Sequence, residues 1–217
     1  MTTFPGSPRL LKGGIVLLDP LTAAVLRVIP LQYNPDTLTR SFQIKGVGAE
    51  GGDRLEALRL KGPPVETIKV EAEIDATDQL ELADKQATTI GLHAILAALE
   101  VLVYPTSATL QTNNGSAASG TLEIIAAESA LTVFVFGPKR IAPVRITEFS
   151  ITEEAFDPSL NPIRAKVSLS MKVLSVDDVG FDSKAGGLFM TYLQAKEQLA
   201  AQSAPGTFGT LGITGIP

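Results

Sequence analysis

The chain has 217 residues, a formal net charge of −5 and no cysteine. Its length favours one domain with a sizeable core. The acidic balance argues against a nucleic acid held by phosphate contacts, and the lack of cysteine excludes disulfides and thiolate metal sites. There is no signal-like start and no apolar run of about 20 residues, so we expect neither export by a standard signal nor insertion into a membrane.

The first third of the chain predicts antiparallel strands. Residues 14–18 and 24–31 are apolar runs joined by an Asp-Pro turn, which indicates a hairpin. Residues 38–44 show a period of two and predict another strand, and the strict alternation of apolar and charged side chains over residues 65–75 predicts a further one. Residues 46–64 are rich in Gly and Pro and predict a surface loop with at most one helical turn.

The middle of the chain predicts one long central helix. It begins at Thr77 or Asp78 and ends before Tyr104-Pro105. Gly91 weakens its centre, so two shorter helices with a kink remain an alternative. The apolar positions recur at three and four residues: Leu80, Ala83, Ala87, Ile90, Ala94, Ala98 and Leu102.

The chain after the central helix predicts a loop, two strands and a C-terminal helix with a tail. Residues 106–120 are small and polar and predict a loop, and residues 122–126 and 131–136 predict two strands. Apolar side chains from Leu188 to Leu199 mark one face of a C-terminal helix. The last fifteen residues, here called the C-terminal tail, are Gly-rich and uncharged, and we expect them to be disordered before assembly because ordering them costs more chain entropy than their side chains return.

The longest pattern is a hairpin over residues 143–174. The apolar phase slips by one residue between Ile146 and Phe149, which predicts a β-bulge. Residues 157–162 (DPSLNP) predict the turn, and strict alternation follows. Arms of ten to twelve residues span roughly 33 to 40 Å, about twice a usual strand, so we expect the excess to contact a neighbouring subunit. The inward positions of the second arm are Ile163, Ala165, Val167, Leu169, Met171 and Val173.

Together these elements predict an α+β fold. Hairpins dominate, and strands and helices do not alternate as βαβ units would require. We expect an antiparallel barrel or sandwich with one long central helix and a C-terminal helix. The predicted division is a β domain over residues 1–180 and a helix with the tail over residues 181–217.

No catalytic or cofactor site is predicted. The glycines of residues 46–51 match G-x-G-x-x-G, but no helix of useful length begins there, so a nucleotide site is not expected. His93 is the only histidine and has no nucleophile or carboxylate at a suggestive spacing. One histidine without cysteine cannot build a zinc site, so we expect a non-enzymatic protein without cofactor or metal.

Two motifs carry a resemblance to a known family. LQYNPDTL at residues 31–38 looks like an aromatic-Asn-Pro turn that enters a strand, and FDPSLNPIRA at residues 156–165 looks like a Phe-Asp-Pro hairpin turn. With these motifs the chain resembles the tube-like baseplate proteins of contractile injection systems, over roughly residues 14–176. Members of this family commonly carry a LysM domain after the hairpin, and this chain has a helix and the tail in its place.

The resemblance implies a role in assembly. It implies the fold of tail-tube subunits, with six copies in a ring that starts or ends the inner tube, assembled in the bacterial cytoplasm as part of a phage tail-like particle. The partners would be further copies of the chain, the inner tube protein and baseplate or cap proteins. The candidate interface residues are Asn34, Pro35, Glu153, Glu154, Asp157, Pro158, Arg164, Lys166, Tyr192 and Phe208.

Two alternatives remain open from the sequence. The ring could lie at the cap end of the tube rather than at the baseplate. A monomeric β-barrel that binds a small molecule is the alternative of a different class, although its pocket would need convergent polar groups and the predicted inner faces carry mainly Val, Ile, Leu and Ala.

Overall fold

The structure is a computed structural model that describes residues 11–46, 59–118 and 129–216. Within these residues it confirms the α+β class, with seven strands in one sheet and six α-helices. The strands are β1 Gly14–Leu18, β2 Val25–Pro30, β3 Leu38–Gln43, β4 Val65–Asp75, β5 Leu131–Val135, β6 Ile141–Phe156 and β7 Pro162–Val173. The helices are α1 Thr77–Glu81, α2 Lys85–Ile90, α3 His93–Glu100, α4 Ser107–Ala118, α5 Val176–Val179 and α6 Lys184–Ala201.

The sheet is antiparallel and open. Its strand order is β2-β1-β5-β6-β7-β4-β3, so β2 and β3 form its two edges. The expected closed barrel is not shown, because the two edge strands do not pair with each other in the described part of the chain. The long hairpin is confirmed as β6 and β7, and its ladder shifts register between Ile146 and Glu148, where a bulge was predicted.

One face of the sheet forms the core. In β4 and β7 the alternation predicted from the sequence is confirmed, since the even positions from Ile68 to Ile74 and the odd positions from Ala165 to Val173 are buried. The opposite positions of β4, β6 and β7 are mostly exposed and polar. Leu92, Leu96 and Leu99 of the helical region cover the apolar face, as do Phe189 and Tyr192 of α6.

The single long central helix is replaced by α1, α2 and α3. The chain leaves helical geometry at Ala83 (φ 50°) and at Gly91 (φ 53°), and the side chain of Asp84 caps α2 by accepting hydrogen bonds from the backbone of Gln86 and Ala87 at 2.9 and 3.0 Å. Gly91 also resets the helical phase. The buried apolar residues are therefore Ala87, Leu92, Leu96 and Leu99 instead of the series predicted from one continuous helix.

The predicted loop over residues 106–120 is also corrected, because residues 107–118 form α4. The hydroxyl of Thr106 accepts a hydrogen bond from the backbone of Thr109 at 3.2 Å, which stabilises the first turn of a sequence with weak helix propensity. The strand predicted over residues 122–126, and all of the glycine motif except Gly46, lie outside the described residues.

The C-terminal helix is confirmed as α6. It begins at Lys184, earlier than its apolar pattern indicated, because the hydroxyl of Ser183 accepts a hydrogen bond from the backbone of Gly186 at 2.9 Å. Phe189 and Tyr192 join α6 to the core of the sheet. After α6, residues 202–216 are exposed, with one 3₁₀ turn at Phe208–Leu211. None of the described helices has both the length and the apolar character needed to span a bilayer.

Candidate assembly surfaces

The turn of the long hairpin is built around Asp157. Its carboxylate accepts hydrogen bonds from the side chain of Asn161 at 2.8 Å and from the backbone of Asn161 and Ser159 at 2.9 and 2.7 Å. These bonds, that from the Asn161 side chain first, lower the pKa of Asp157 below its usual value. The turn is therefore preformed, with Pro158 and Leu160 exposed at its end.

The length of the hairpin suggested that its end would project into solvent, but it does not. It lies against the junction of α2 and α3, where the backbone of Leu92 donates to Pro162 O at 2.9 Å and Asn161 Nδ2 donates to Thr89 O at 3.3 Å. This contact requires glycine at position 91, because a Cβ there would clash with Pro162 O at 2.5 Å. Phe156 nevertheless remains 50% exposed beside the turn.

The charged residues predicted on the hairpin arms are paired within the chain. Arg164 Nε donates to Asp75 Oδ2 at 2.9 Å, and Lys166 Nζ lies 3.1 Å from Glu154 Oε1. Both pairs are partly exposed, and such pairs contribute about 0 to 1 kcal/mol each. Glu153 stands opposite Ala165 and is exposed. A neighbouring molecule that used Arg164 as an anchor would have to share it with Asp75.

Asn34 closes a contact with the start of the described chain. Its Oδ1 accepts a hydrogen bond from Gly13 N at 2.8 Å, and its Nδ2 donates to Leu11 O at 2.8 Å. Two residues earlier, the amide of Gln32 bonds the backbone N and O of Asp75 at 3.0 and 2.6 Å, as a neighbouring strand would. The first motif thus ties the segment after β2 to the end of β4.

A polar groove brings three of the predicted residues together. Asn34, Pro35 and Lys166 line it with Glu71 and Glu73, and its volume is about 590 Å³. The groove lies on the exposed face of β4, β6 and β7 beside the loop of the first motif. No group of three or more His, Cys, Asp or Glu residues positioned to hold a metal ion occurs in the described chain.

Tyr192 is not on the surface. It is 3% exposed, and its hydroxyl donates to Glu66 Oε1 at 2.8 Å, while Lys196 Nζ lies 2.6 Å from Glu66 Oε2. Burial and the Glu66 carboxylate raise the pKa of Tyr192 to about 12. This corrects its assignment as an interface residue, because the side chain is occupied within its own subunit. Phe208 is 48% exposed in the 3₁₀ turn and is accessible to another subunit.

Glu66 was not among the predicted residues, although the sequence contains a signal for it. Glu66 occupies the same phase of β4 as Ile68 and Val70, so a carboxylate at that position had to be buried. A buried carboxylate needs partners, and Arg40 on β3 supplies a further one at 3.8 Å. The cluster fixes the middle of α6, from Tyr192 to Lys196, to the start of β4.

The apolar character of the β2 edge was not predicted. On β2 the side chains of Val25, Leu26 and Val28 are 57 to 62% exposed, and on β3 Phe42 is 46% exposed. An edge strand also presents unpaired backbone groups. The two edges are therefore the surfaces of the described chain best suited to pair with another polypeptide.

The comparisons with known proteins do not identify the chain. No protein-family model matches it, and no curated protein matches it. Within the described residues, the fold defines a class: an α+β protein with an open antiparallel sheet whose edges are β2 and β3. The resemblance to tube-like baseplate proteins therefore depends on the two sequence motifs alone.

Proposed function

We propose that the protein is a non-enzymatic ring subunit of a contractile injection system. In this role six copies form a ring that starts the inner tube and joins it to the baseplate. The two motifs support the family, and the open sheet with an apolar edge at β2 is the observation that carries the role in assembly.

The edges give this assembly a physical basis. Soluble proteins usually protect their edge strands with charges, prolines or covering segments. Here β2 exposes three large apolar side chains, and its protection is limited to Arg27 and Pro30. Burying the exposed half of each apolar side chain would contribute on the order of 1 kcal/mol. When β2 of one subunit meets β3 of the next, the contact is head-to-tail, and such a contact gives a ring when the rotation between successive subunits closes.

Solution mass tests this proposal. The wild-type protein, examined by light scattering after size exclusion with and without purified inner tube protein, is expected to form rings of about six subunits. Val28→Lys places a charge on the β2 edge and is expected to leave folded monomers with an unchanged circular dichroism spectrum. Leu82→Lys is the matched control, because Leu82 is 75% exposed but lies outside the sheet. A wild-type chain that stays monomeric both alone and with the tube protein would refute the proposal.

Two other functions have some support. A ring at the cap end of the tube would use the same edges, and it is distinguished by binding to the terminal rather than the initial tube ring. A small-molecule binding domain is favoured by the polar groove of about 590 Å³. Saturable binding of a small ligand that Lys166→Ala abolishes, in a protein that remains monomeric, would favour that function instead.

A further inference from the structure

A second groove lies beside the β2 edge, on the apolar side of the sheet. It has a volume of about 490 Å³ and runs between the end of β2 and the helix α3. Ile29 and Leu99 form its buried floor, and Val28 and Ile95 stand at its rim with exposures of 59 and 38%. Its described lining includes two basic side chains, Lys12 and Arg27, and no acidic one.

The C-terminal tail has the complementary composition. Residues 203–217 contain no charged residue, and four large apolar side chains are exposed along them: Phe208 48%, Leu211 73%, Ile213 44% and Ile216 78%. The hydrogen bonds of residues 207–213 join these residues to one another. The tail thus carries an exposed apolar surface that its own helix α6 does not cover, and such surfaces mark interaction sites.

We propose that the apolar groove beside β2 binds the C-terminal tail of a second copy of the chain. The groove offers an apolar floor and rim against which the side chains of the tail can be buried, while the backbone groups of the β2 edge remain for β3 of the neighbouring subunit. An acidic or strongly basic peptide would gain less here, since the centre of the groove is apolar.

The exposed position of the tail in the single chain favours the tail of a neighbour over the chain's own tail. Residues 202–216 are exposed, and none of them lines the groove. Lys196 holds the second half of α6 to Glu66 at the start of β4, whereas the groove reaches β4 at Ile74 near its end. A second subunit that joins at the β2 edge stands beside this groove, so we place its tail there. The inference therefore rests on the proposed edge-to-edge ring.

The absence of cysteine in the sequence makes this contact easy to test by crosslinking. Leu211→Cys in the tail and Ile95→Cys at the groove rim are made in separate full-length proteins, one of them with a size tag, and the two are mixed and oxidised. A disulfide-linked heterodimer is the expected product. Leu82→Cys replaces Ile95→Cys as the control, because Leu82 is more exposed but does not line the groove, and it should give little product.

The same samples separate the failure of this inference from the failure of the proposed function. Rings that form without a Leu211 to Ile95 crosslink would overturn the tail contact and leave the ring intact. The lack of both rings and crosslinks would refute both. A double variant whose two cysteines join within one chain, at a dilution where monomers dominate, would also overturn the inference, because it would place the tail in its own groove.

A second variant removes the apolar surface without new cysteines. Leu211→Ser combined with Ile213→Ser in the full-length chain is expected to weaken subunit association at least about tenfold, since two large apolar side chains lose their burial. Both residues are exposed in the single chain, so its thermal stability should not change. Thr214→Ser is the control. Association at the wild-type level would contradict the proposed contact.

Discussion

The buried cluster around Glu66 allows one quantitative prediction. Tyr192→Phe keeps the aromatic ring in the core and removes only the hydroxyl that donates to Glu66 at 2.8 Å. A hydrogen bond to a charged acceptor contributes about 1.5 to 3 kcal/mol, so the free energy of unfolding should fall by that amount at pH 8. Urea unfolding followed by circular dichroism measures it. Tyr33→Phe is the control, because Tyr33 is 47% exposed and a surface change of this kind stays within about 0.5 kcal/mol.

The raised pKa of Tyr192 adds a pH dependence with a definite sign. The ordinary pKa is 10.0 and the folded value is about 12, so the stabilisation is fully present below pH 10 and is lost as the pH rises through 12. Two pKa units correspond to at most about 2.7 kcal/mol. The difference in stability between the wild type and Tyr192→Phe should therefore narrow between pH 10 and 12. A difference below about 0.5 kcal/mol at pH 8, or one that does not change with pH, would refute this account of the cluster.

Three further predictions concern the backbone and the turns. Gly91→Ala places a Cβ at a residue with positive φ and in contact with Pro162 O, so it should destabilise the protein by at least about 1 to 2 kcal/mol. Gly187→Ala, on the open face of α6, should instead stabilise the protein by about 0.5 to 1 kcal/mol in the same unfolding assay. Asp178→Ala removes the carboxylate that accepts a hydrogen bond from the backbone of Ser175, the N-cap of α5, and that pairs with Lys172. It should cost about 1 kcal/mol, measured by thermal unfolding. Hydrogen bonds lower the pKa of Asp157. The stability that this carboxylate contributes is therefore present above its ordinary pKa of 3.8 and is lost as the pH falls below that value. Asp157→Asn should thus reduce the loss of stability at acid pH in a profile of unfolding free energy against pH.

The strands were predictable because their side chains alternate. In β4 and β7 a shift of one residue would have moved every apolar side chain to the solvent face, so the pattern permits one register. The bulge near Ile146 was visible for the same reason. Neither the strand order nor the open edges could be read in this way, because they depend on which strands meet over separations of more than 100 residues, as in the pairing of β1 with β5.

The helices were less predictable. The spacing of Leu80, Ala87 and Ala94 fits one continuous helix, but the left-handed backbone at Ala83 and Gly91 breaks it, and the contact of Gly91 with Pro162 explains why the second break occurs there. A contact between residues 71 positions apart leaves no local pattern. α4 was missed because its small, polar residues have a weak helix propensity, which the cap at Thr106 offsets.

Some of the candidate interface residues could be predicted from local sequence, and others could not. The turn residues Asn34 and Asp157 were predictable because Asn-Pro and Asp-Pro have a local backbone chemistry, and the structure gives each several hydrogen bonds. Tyr192 was misassigned because the apolar periodicity of α6 does not distinguish a face that packs on its own sheet from one that packs on another subunit. The apolar edge of β2 was missed because a run such as VLRVIP looks the same in a central strand and in an edge strand.

The strand order also constrains how the chain folds during its synthesis. The two hairpins made first, β1-β2 and the pair β3-β4, have no contact with each other in the sheet, and each waits for a strand of the later meander β5-β6-β7. β4 is complete at residue 75, but its second partner, β7, ends at Val173. For most of translation the nascent chain therefore carries unpaired apolar strands, and non-local pairing of this kind folds slowly and favours aggregation. A ribosome-bound chain stopped before residue 162 should thus bind chaperones that release it once β7 has emerged.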